Sequence, residues 1–428
     1  MKKTLFALPL LALAAPAFAQ DAKALADLRA RVDELEMRSF SQNFNISGTF
    51  IHTFENVYTD RENRRDDAVS LNGTYVGLNV DYKVNDRISF YSTLAMSKLW
   101  QIDGRAGEGG VETDTTDPAG GTNGDVTGGD YWSDSFQGSS AYRGSVARFD
   151  RAFITYAVPG SMFSFALGRM PTSNGPVQNQ LDGVERTGTY PRFALNAIFD
   201  GVAMTVNWTK FLPKNHSMKT KLIYSPLQFA NHRDRMSQAQ PDGKELKSDP
   251  LFYAVLQEYE IKDLKFAKGM QMYGFFYHFE DFWWQAFNDM YRGILWNLTV
   301  ALEGIAGTGL NASANYLGSD FQGKANGQTG GEGYLFNVNY KFENTHVVGA
   351  EYVATNKAHY TDDWAYLNMA DFYKAASNTG YHVFWGMPVY DNMRLRVGTF
   401  QYKVNDSDKL GIEERKVSSI YTQLRVNF

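Results

Sequence analysis

The titratable side chains of this chain form no recognisable catalytic motif. Its seven histidines stand singly, without a His-x-x-x-His pair that could ligate zinc, and there is no Gly-x-Ser-x-Gly elbow for a serine nucleophile. The absence of cysteine excludes thiolate metal sites, c-type haem attachment and cysteine nucleophiles. The adjacent acids Asp66-Asp67 and Asp362-Asp363 are typical of solvated turns. We therefore predict no enzyme activity, no metal and no cofactor, and leave open whether the acidic, glycine-rich residues 103–140 bind calcium.

Two groups of charged residues fit a different chemistry, the electrostatic filtering of solutes. The first lies in residues 170–192, a glycine-containing connection, and consists of Asp182, Glu185, Arg186 and Arg192. The second shares one face of the last two predicted strands and consists of Arg394, Arg396 and Arg425. If these three arginines face Asp182 and Glu185, the opposite charges would set up a transverse field of the kind that charged rings produce in pores. The alternative is that the connection is an ordinary surface loop and that the arginines only solvate a wall.

The elements that would position these residues are strands, because the hydrophobic pattern has a period of two from residue 43 onward. Every even position from 76 to 84 is apolar, for example, while the odd positions between them are polar or small. Aromatic side chains cluster at the ends of the strands, as in membrane barrels, whereas the buried face of an antiparallel β-sandwich is mainly aliphatic. We predict sixteen strands at 43–54, 73–84, 87–100, 145–158, 161–169, 196–209, 217–225, 250–261, 269–280, 292–303, 308–317, 332–343, 346–355, 379–390, 393–403 and 416–428.

The connections between these strands alternate in length. Residues 55–72 and 101–144 are long, whereas Asn85-Asp86, Pro159-Gly160 and Asp391-Asn392 are tight turns. Short turns on one side, long loops on the other and an even strand count are typical of bacterial outer-membrane barrels. The sequence therefore predicts an all-β fold, a closed antiparallel transmembrane barrel over residues 41–428, with both termini in the periplasm.

The first nineteen residues predict export. Lys2 and Lys3 precede an apolar run and the small-residue site Ala17-Phe18-Ala19, which is the pattern of a secretory signal peptide over residues 1–19. The run is too short for a membrane helix. The modest formal net charge of −5 argues against nucleic acid as a partner.

Residues 20–40 predict a short amphipathic helix with a coiled-coil-like stripe. Its apolar positions, spaced 3, 4 and 3 residues apart, are Leu25, Leu28, Val32 and Leu35. Two interpretations stay open: a self-association helix on the periplasmic side, or a helix that rests on the mouth of the barrel.

The C-terminal strand alternates in the same way and ends on an aromatic residue. Ile420, Leu424 and Phe428 share one face, and Tyr421 and Arg425 share the other. This ending resembles Gram-negative outer-membrane proteins, and the resemblance implies that the barrel-assembly machinery reads Phe428.

Within that class the chain resembles general porins. The resemblance rests on the strand ending Ala166-Leu167-Gly168-Arg169 and on the loop that begins Met170-Pro171-Thr172. It also resembles porins that carry a short N-terminal coiled-coil helix. The resemblance implies a homotrimer in the outer membrane, in contact with lipid and lipopolysaccharide, that passes small hydrophilic solutes or ions through a water-filled channel. It also implies that the third loop narrows this channel.

Two other functions remain as alternatives. The chain could be a structural or adhesion barrel tethered through its N-terminal helix, or, less in keeping with its width and motifs, an outer-membrane barrel enzyme.

Overall fold

The computed structural model of the protein describes residues 31, 43–61, 67–104, 148–171, 195–196, 198–225, 251–284, 289–322, 330–356, 362–363, 378–404 and 414–428. The strands are β1 Phe44–Arg61, β2 Asp67–Lys83, β3 Ile88–Gly104, β4 Arg148–Ala157, β5 Phe163–Pro171, β6 Leu195–Asn196, β7 Ile198–Asn207, β8 His216–Ser225, β9 Leu251–Leu264, β10 Ala267–Trp284, β11 Asp289–Ile305, β12 Leu310–Gln322, β13 Gly331–Lys341, β14 Val347–Thr355, β15 Asp362–Asp363, β16 Asn378–Tyr390, β17 Met393–Val404 and β18 Arg415–Asn427. A 3₁₀ turn at Thr209–Phe211 lies between β7 and β8. No helix among the described residues is long and apolar enough to cross a bilayer.

Sixteen of these strands form one closed antiparallel barrel. Each pairs with its neighbours in chain order, and β1 pairs with β18 to close the ring. The two-residue strands β6 and β15 stand apart and pair with each other in parallel. The predicted sixteen-strand barrel is confirmed, and each predicted strand overlaps one barrel strand. The predicted signal peptide and, apart from Arg31, the predicted helix over residues 20–40 lie outside the described residues.

The prediction of a long connection over residues 55–72 was wrong. Strand β1 continues to Arg61 and β2 begins at Asp67, so this hairpin is mostly paired strand. The ladder extends because antiparallel pairing satisfies the backbone groups of residues too polar to continue the apolar alternation. Ser70 also donates to Asn56 Oδ1 across the hairpin at 2.6 Å.

The wall of the barrel has two chemically different faces, which β13 illustrates. Its outward side chains Phe336 and Val338 are 48% and 51% exposed, whereas the inward Asn337 and Asn339 are buried. The same alternation places Ile420 outward and Tyr421 inward, as predicted for the C-terminal strand. A closed barrel therefore presents apolar side chains to its surroundings and many polar ones to its interior.

Short hairpins connect the strands at one end of the barrel, which we call the short-turn end. In the hairpin between β2 and β3, Asn85 Oδ1 accepts from the backbone N–H groups of Arg87 and Ile88 at 2.8 and 3.0 Å. Lys83 Nζ donates to Asp86 at 2.7 Å, and this hydrogen bond and the lysine charge lower the pKa of the Asp86 carboxyl. These local contacts fix the hairpin without help from the barrel interior.

The seam between β1 and β18 ends at the C-terminal phenylalanine. Gly48 N–H donates to Phe428 O at 2.5 Å, and Phe428 N–H donates back to Gly48 O at 2.9 Å. The Phe428 ring lies across Gly48, where any side chain would overlap it. The last residue is thus held by the first strand, and its ring stays on the outer surface, 61% exposed.

One short turn stores strain that a substitution should relieve. Thr345 has φ 65°, a left-handed conformation that is unfavourable for a β-branched residue. Replacing it with Asn, which tolerates this conformation, should stabilise the barrel by about 0.5–1 kcal/mol. The measurement is the urea midpoint of unfolding in detergent. Thr308→Asn, in another short turn, is the control and should bring no gain; an equal gain from both variants would contradict the explanation.

Candidate functional site

Polar side chains from seven strands join into a continuous row on the inner face of the barrel. We call this row the lumenal belt, and its members, in order, are Asn311, Asn339, Asn337, Glu351, His382, Tyr421, Arg396, Gln423 and Thr53. Every member is buried. The row runs from β12 to β1, around nearly half of the wall and across the seam.

Three asparagines form the first part of the belt. Asn311 Nδ2 donates to Asn339 Oδ1 at 2.9 Å, and Asn339 Nδ2 donates to Asn337 Oδ1 at 2.8 Å. Asn337 Nδ2 then donates to Glu351 Oε1 at 3.0 Å. Each amide uses its oxygen and its nitrogen in turn, so the row has a single donor direction that ends on a carboxylate.

His382 lies at the centre of the belt and links its two parts. Its Nδ1 is 2.8 Å from Glu351 Oε2 and its Nε2 is 2.8 Å from the Tyr421 hydroxyl. A carboxylate only accepts, so Nδ1 carries a proton, and in the neutral imidazole Nε2 accepts from Tyr421. The Phe400 ring stacks on the imidazole at 4.0 Å between centroids. The histidine is therefore fixed by contacts on two edges and one face.

Arg396 and Gln423 extend the belt from β17 to the seam and across it. Its guanidinium lies 5.2 Å from the centre of the Tyr421 ring, and its Nη2 donates to Gln423 Oε1 at 3.0 Å. Gln423 Nε2 donates to Thr53 Oγ1 at 3.0 Å, which joins β18 to β1. The Tyr421 ring reaches this position because Gly398 lies beneath it: a Cβ there would come within 2.5–2.7 Å of the ring and hydroxyl.

The opposite wall carries paired charges instead of a buried row. Arg151 Nη2 is 3.2 Å from Asp81 Oδ1, and its Nε donates to Thr93 at 2.5 Å. Lys221 Nζ is 2.6 Å from Glu258 Oε1. Both ion pairs point inward, because their residues share faces with inward neighbours on β2, β4, β8 and β9.

The two walls differ in how far solvent reaches them. The side chains of Glu351 and His382 are each 1% exposed, whereas those of Arg151 and Asp81 are 26% and 29% exposed. Inward apolar residues such as Leu335 are likewise closed to solvent on the side of the belt. Water inside the barrel therefore reaches the wall of ion pairs, and the belt stiffens the other wall.

The structure brings together the three arginines that the sequence singled out. Arg394 and Arg425 are direct partners across β17 and β18, and Arg396 lies two residues further along the same face. Arg394 donates to Thr345 O at 3.4 Å, and Arg425 donates to Asn427 Oδ1 at 3.3 Å. Their predicted role in a constriction stays a prediction.

The other predicted site residues lie outside the described residues. The loop group there is Asp182, Glu185, Arg186 and Arg192, and the helix group is Leu25, Leu28, Val32 and Leu35. The motif before the loop is described: Gly168 has φ 122°, and Arg169 forms two hydrogen bonds with the Asp200 carboxylate at 2.9 and 2.8 Å.

Sequence reasoning missed the pairing of Glu351 with His382. Both residues lie at inward positions of their strands, which the alternation of the sequence is sufficient to predict. Their direct opposition depends on the register between β14 and β16, which the intervening connection leaves open.

Comparison with known proteins supports the fold. A family described as a protein of unknown function (DUF3373) matches residues 68–275. No curated protein matches the chain. The high-pH structure of Pseudomonas putida OprB is 10% identical, with 91% of this chain and 95% of that chain covered and a TM-score of 0.50. Salmonella typhi OmpF in complex with daunomycin is also 10% identical, with 90% and 97% covered and a TM-score of 0.48.

These likenesses concern the fold alone. The chain is a sixteen-strand barrel that is structurally similar to outer-membrane porins, here represented by OprB. At 10% identity the comparison transfers no site residue from OprB to this chain.

The hydroxyl of Tyr421 should matter more to stability than a hydroxyl on the outer face. Tyr421→Phe removes the group that meets His382 Nε2 in a buried position, which should destabilise the barrel by about 1–3 kcal/mol. The matched control is Tyr381→Phe, whose exposed hydroxyl bonds Gln401 on the outer surface and whose loss should cost less than about 0.5 kcal/mol. Urea unfolding of both variants measures these losses of stability. Equal losses in the two variants would contradict a contribution of the belt to the stability of the barrel.

Proposed function

We propose that the protein is an outer-membrane channel through which small hydrophilic solutes and ions diffuse passively. The observation that carries the proposal is the closed barrel of sixteen strands, which has apolar side chains outside and charged, partly solvent-exposed side chains inside. Barrels of this strand number are wide enough to hold an aqueous path. The proposed function involves no bond chemistry and no cofactor.

The proposed location follows from the same reasoning. The signal peptide over residues 1–19 exports the chain to the periplasm, and the assembly machinery inserts the barrel by reading Phe428. The outer face then contacts lipid, and the long connections face lipopolysaccharide. The short-turn end becomes the periplasmic mouth.

Conductance in a planar bilayer tests the proposal. The purified, folded protein should produce stepwise currents in potassium chloride that scale with bulk conductivity, because the ions cross through water. A folded barrel that inserts without current would reject the channel and favour the alternative of a structural or adhesion barrel.

The third loop should narrow the proposed channel. We propose that the third loop, with Asp182, Glu185, Arg186 and Arg192, folds into the lumen opposite the arginines of β17 and β18. Deleting residues 181–188 should then raise the single-channel conductance, since it removes an obstacle and leaves the ladder intact. Deleting residues 121–128, an equal length from the connection after β3, is the control and should leave conductance unchanged. Equal conductance in all three proteins would make the third loop an ordinary external loop.

A second copy of the chain is the proposed partner in the membrane, in a homotrimer. On β11 to β14 no outward side chain between residues 294–302, 312–318, 334–340 and 348–354 is more polar than tyrosine. Polar residues instead cluster outward on β17, β18, β1 and β2, and this polar outer patch consists of Thr399, Gln401, Ser418, Thr422, His52, Asn56, Ser70 and Thr74. Polar side chains facing hydrocarbon are unfavourable, so protein is a better neighbour for this patch than lipid.

Self-association through this patch gives two tests. Thr422→Trp, at an exposed position of the patch, should dissociate the oligomer, whereas Val338→Trp on β13 should not. Deleting residues 21–37, which carry Leu25, Leu28, Val32 and Leu35, should lower the melting temperature of the oligomer without abolishing conductance. Light scattering in mild detergent measures the oligomeric state and its melting, and a planar bilayer measures the conductance. A monomeric wild-type protein would reject the trimer, and unchanged melting would reject the role of the helix.

A further inference from the structure

Basic side chains encircle the inner face of the barrel at its short-turn end. Each occupies an inward position at the end of its strand: Lys83 shares its face with Asp81, Lys341 with Asn339, and Arg394 with Arg396. The group comes from six strands and is called the mouth ring here. Its members are Lys83, Lys219, Lys262, Lys341, Arg394 and Arg425.

The mouth ring has a net positive charge. The inward carboxylates at the same level are Glu258, Glu260 and Glu303; Glu258 contacts Lys221 at 2.6 Å, so the six cations of the ring face two further anions and leave a surplus of four. The described residues of the short turns add no net charge, because four bases balance four acids. These are Arg87, Lys210, Lys214 and Lys265 against Asp86, Asp263, Glu343 and Asp391.

The charges of the mouth ring are accessible to solutes. The Lys83 side chain is 54% exposed even though it contacts Asp86, and Lys219 and Lys262 are also exposed. Lys341, Arg394 and Arg425 are half-buried. An ion that enters from the short-turn end therefore meets the mouth ring before it meets the charges deeper in the barrel.

Charges deeper in the barrel offset only a small part of this surplus. Asp81 contacts Arg151 at 3.2 Å, Glu258 contacts Lys221 at 2.6 Å, and Glu351 is enclosed by Asn337 and His382. Glu55 accepts from Ser419, so Glu55 and Glu351 keep their charge; together with Arg396 the buried wall residues have a formal net charge of −1, which is smaller than the surplus of the ring. Among the described inward residues, the accessible net charge is therefore that of the mouth ring and is positive.

The ring also places two like charges next to each other. Arg394 and Arg425 are direct partners across neighbouring strands, and like charges in that relation repel. Low-dielectric walls focus such a field into the lumen, where it raises the local concentration of counter-ions.

We propose that the mouth ring makes the channel selective for small anions, such as chloride, carboxylates and phosphate. The inference rests on the proposed channel function and adds the class of solute. The ring attracts anions at the periplasmic mouth and repels cations there. Since the Debye length is about 10 Å at 0.1 M salt and 3 Å at 1 M, the preference is stronger in dilute salt.

The zero-current potential across a planar bilayer in a potassium chloride gradient tests the proposal. The wild-type protein should show a chloride-to-potassium permeability ratio above one, and the ratio should be larger at 0.1 M than at 1 M salt. The triple variant Lys83→Glu, Lys219→Glu and Lys262→Glu reverses three exposed charges of the ring. It should lower the ratio by about threefold or more, since each kT of potential changes the ion concentration by about that factor.

The matched control reverses three lysines outside the lumen. Lys210 and Lys214 lie in the turn before β8, and Lys268 is an exposed outward residue of β10. The triple variant with Glu at these positions has the same net charge as the ring variant and should keep the wild-type ratio. A preference for potassium in the wild type, or equal shifts in both triple variants, would overturn the mouth-ring proposal while leaving a channel. Folded protein without current would overturn the channel function itself.

Discussion

The pairing of the first barrel strand with the last is the interaction on which the rest of the structure depends. Thirteen residues of β1, from Thr49 to Arg61, are in register with thirteen of β18. Without this pairing both strands would present unpaired backbone N–H and C=O groups, which cost several kcal/mol each in hydrocarbon. The chain supports the pairing locally: Gly48 leaves room for the Phe428 ring, and Gln423 bonds Thr53 across the seam. Closure is thus specified by backbone and side chains together.

Closure gives every residue of the wall one of two environments. Outward positions are mostly apolar, and we propose that a second copy binds at the polar outer patch. Inward positions divide into a buried belt that stiffens one wall, ion pairs that water reaches on the other, and a mouth ring of net positive charge. The proposed solute class follows from the last of these, because the ion pairs deeper in the barrel are neutral and the positive surplus of the ring exceeds the remaining buried charge.

The strands and their faces could be predicted because a period of two is a local property of the sequence. The face of Arg394, Arg396 and Arg425 could be predicted for the same reason. The direct opposition of Arg394 with Arg425, and of Glu351 with His382, could not, because it depends on register across connections of many residues. The extension of β1 to Arg61 was missed since the alternation ends before the backbone ladder does.

Accessibility along β13 tests the two-faced wall most directly. The chain has no cysteine, so single cysteines at residues 334–341 can each carry a nitroxide in lipid vesicles. Oxygen, which concentrates in lipid, should relax the labels strongly at the even positions, represented by Phe336 and Val338, and weakly at the odd ones, represented by Asn337. A period of two over all eight positions is the result that the account predicts. Uniform relaxation, or a helical period of 3.6, would contradict it.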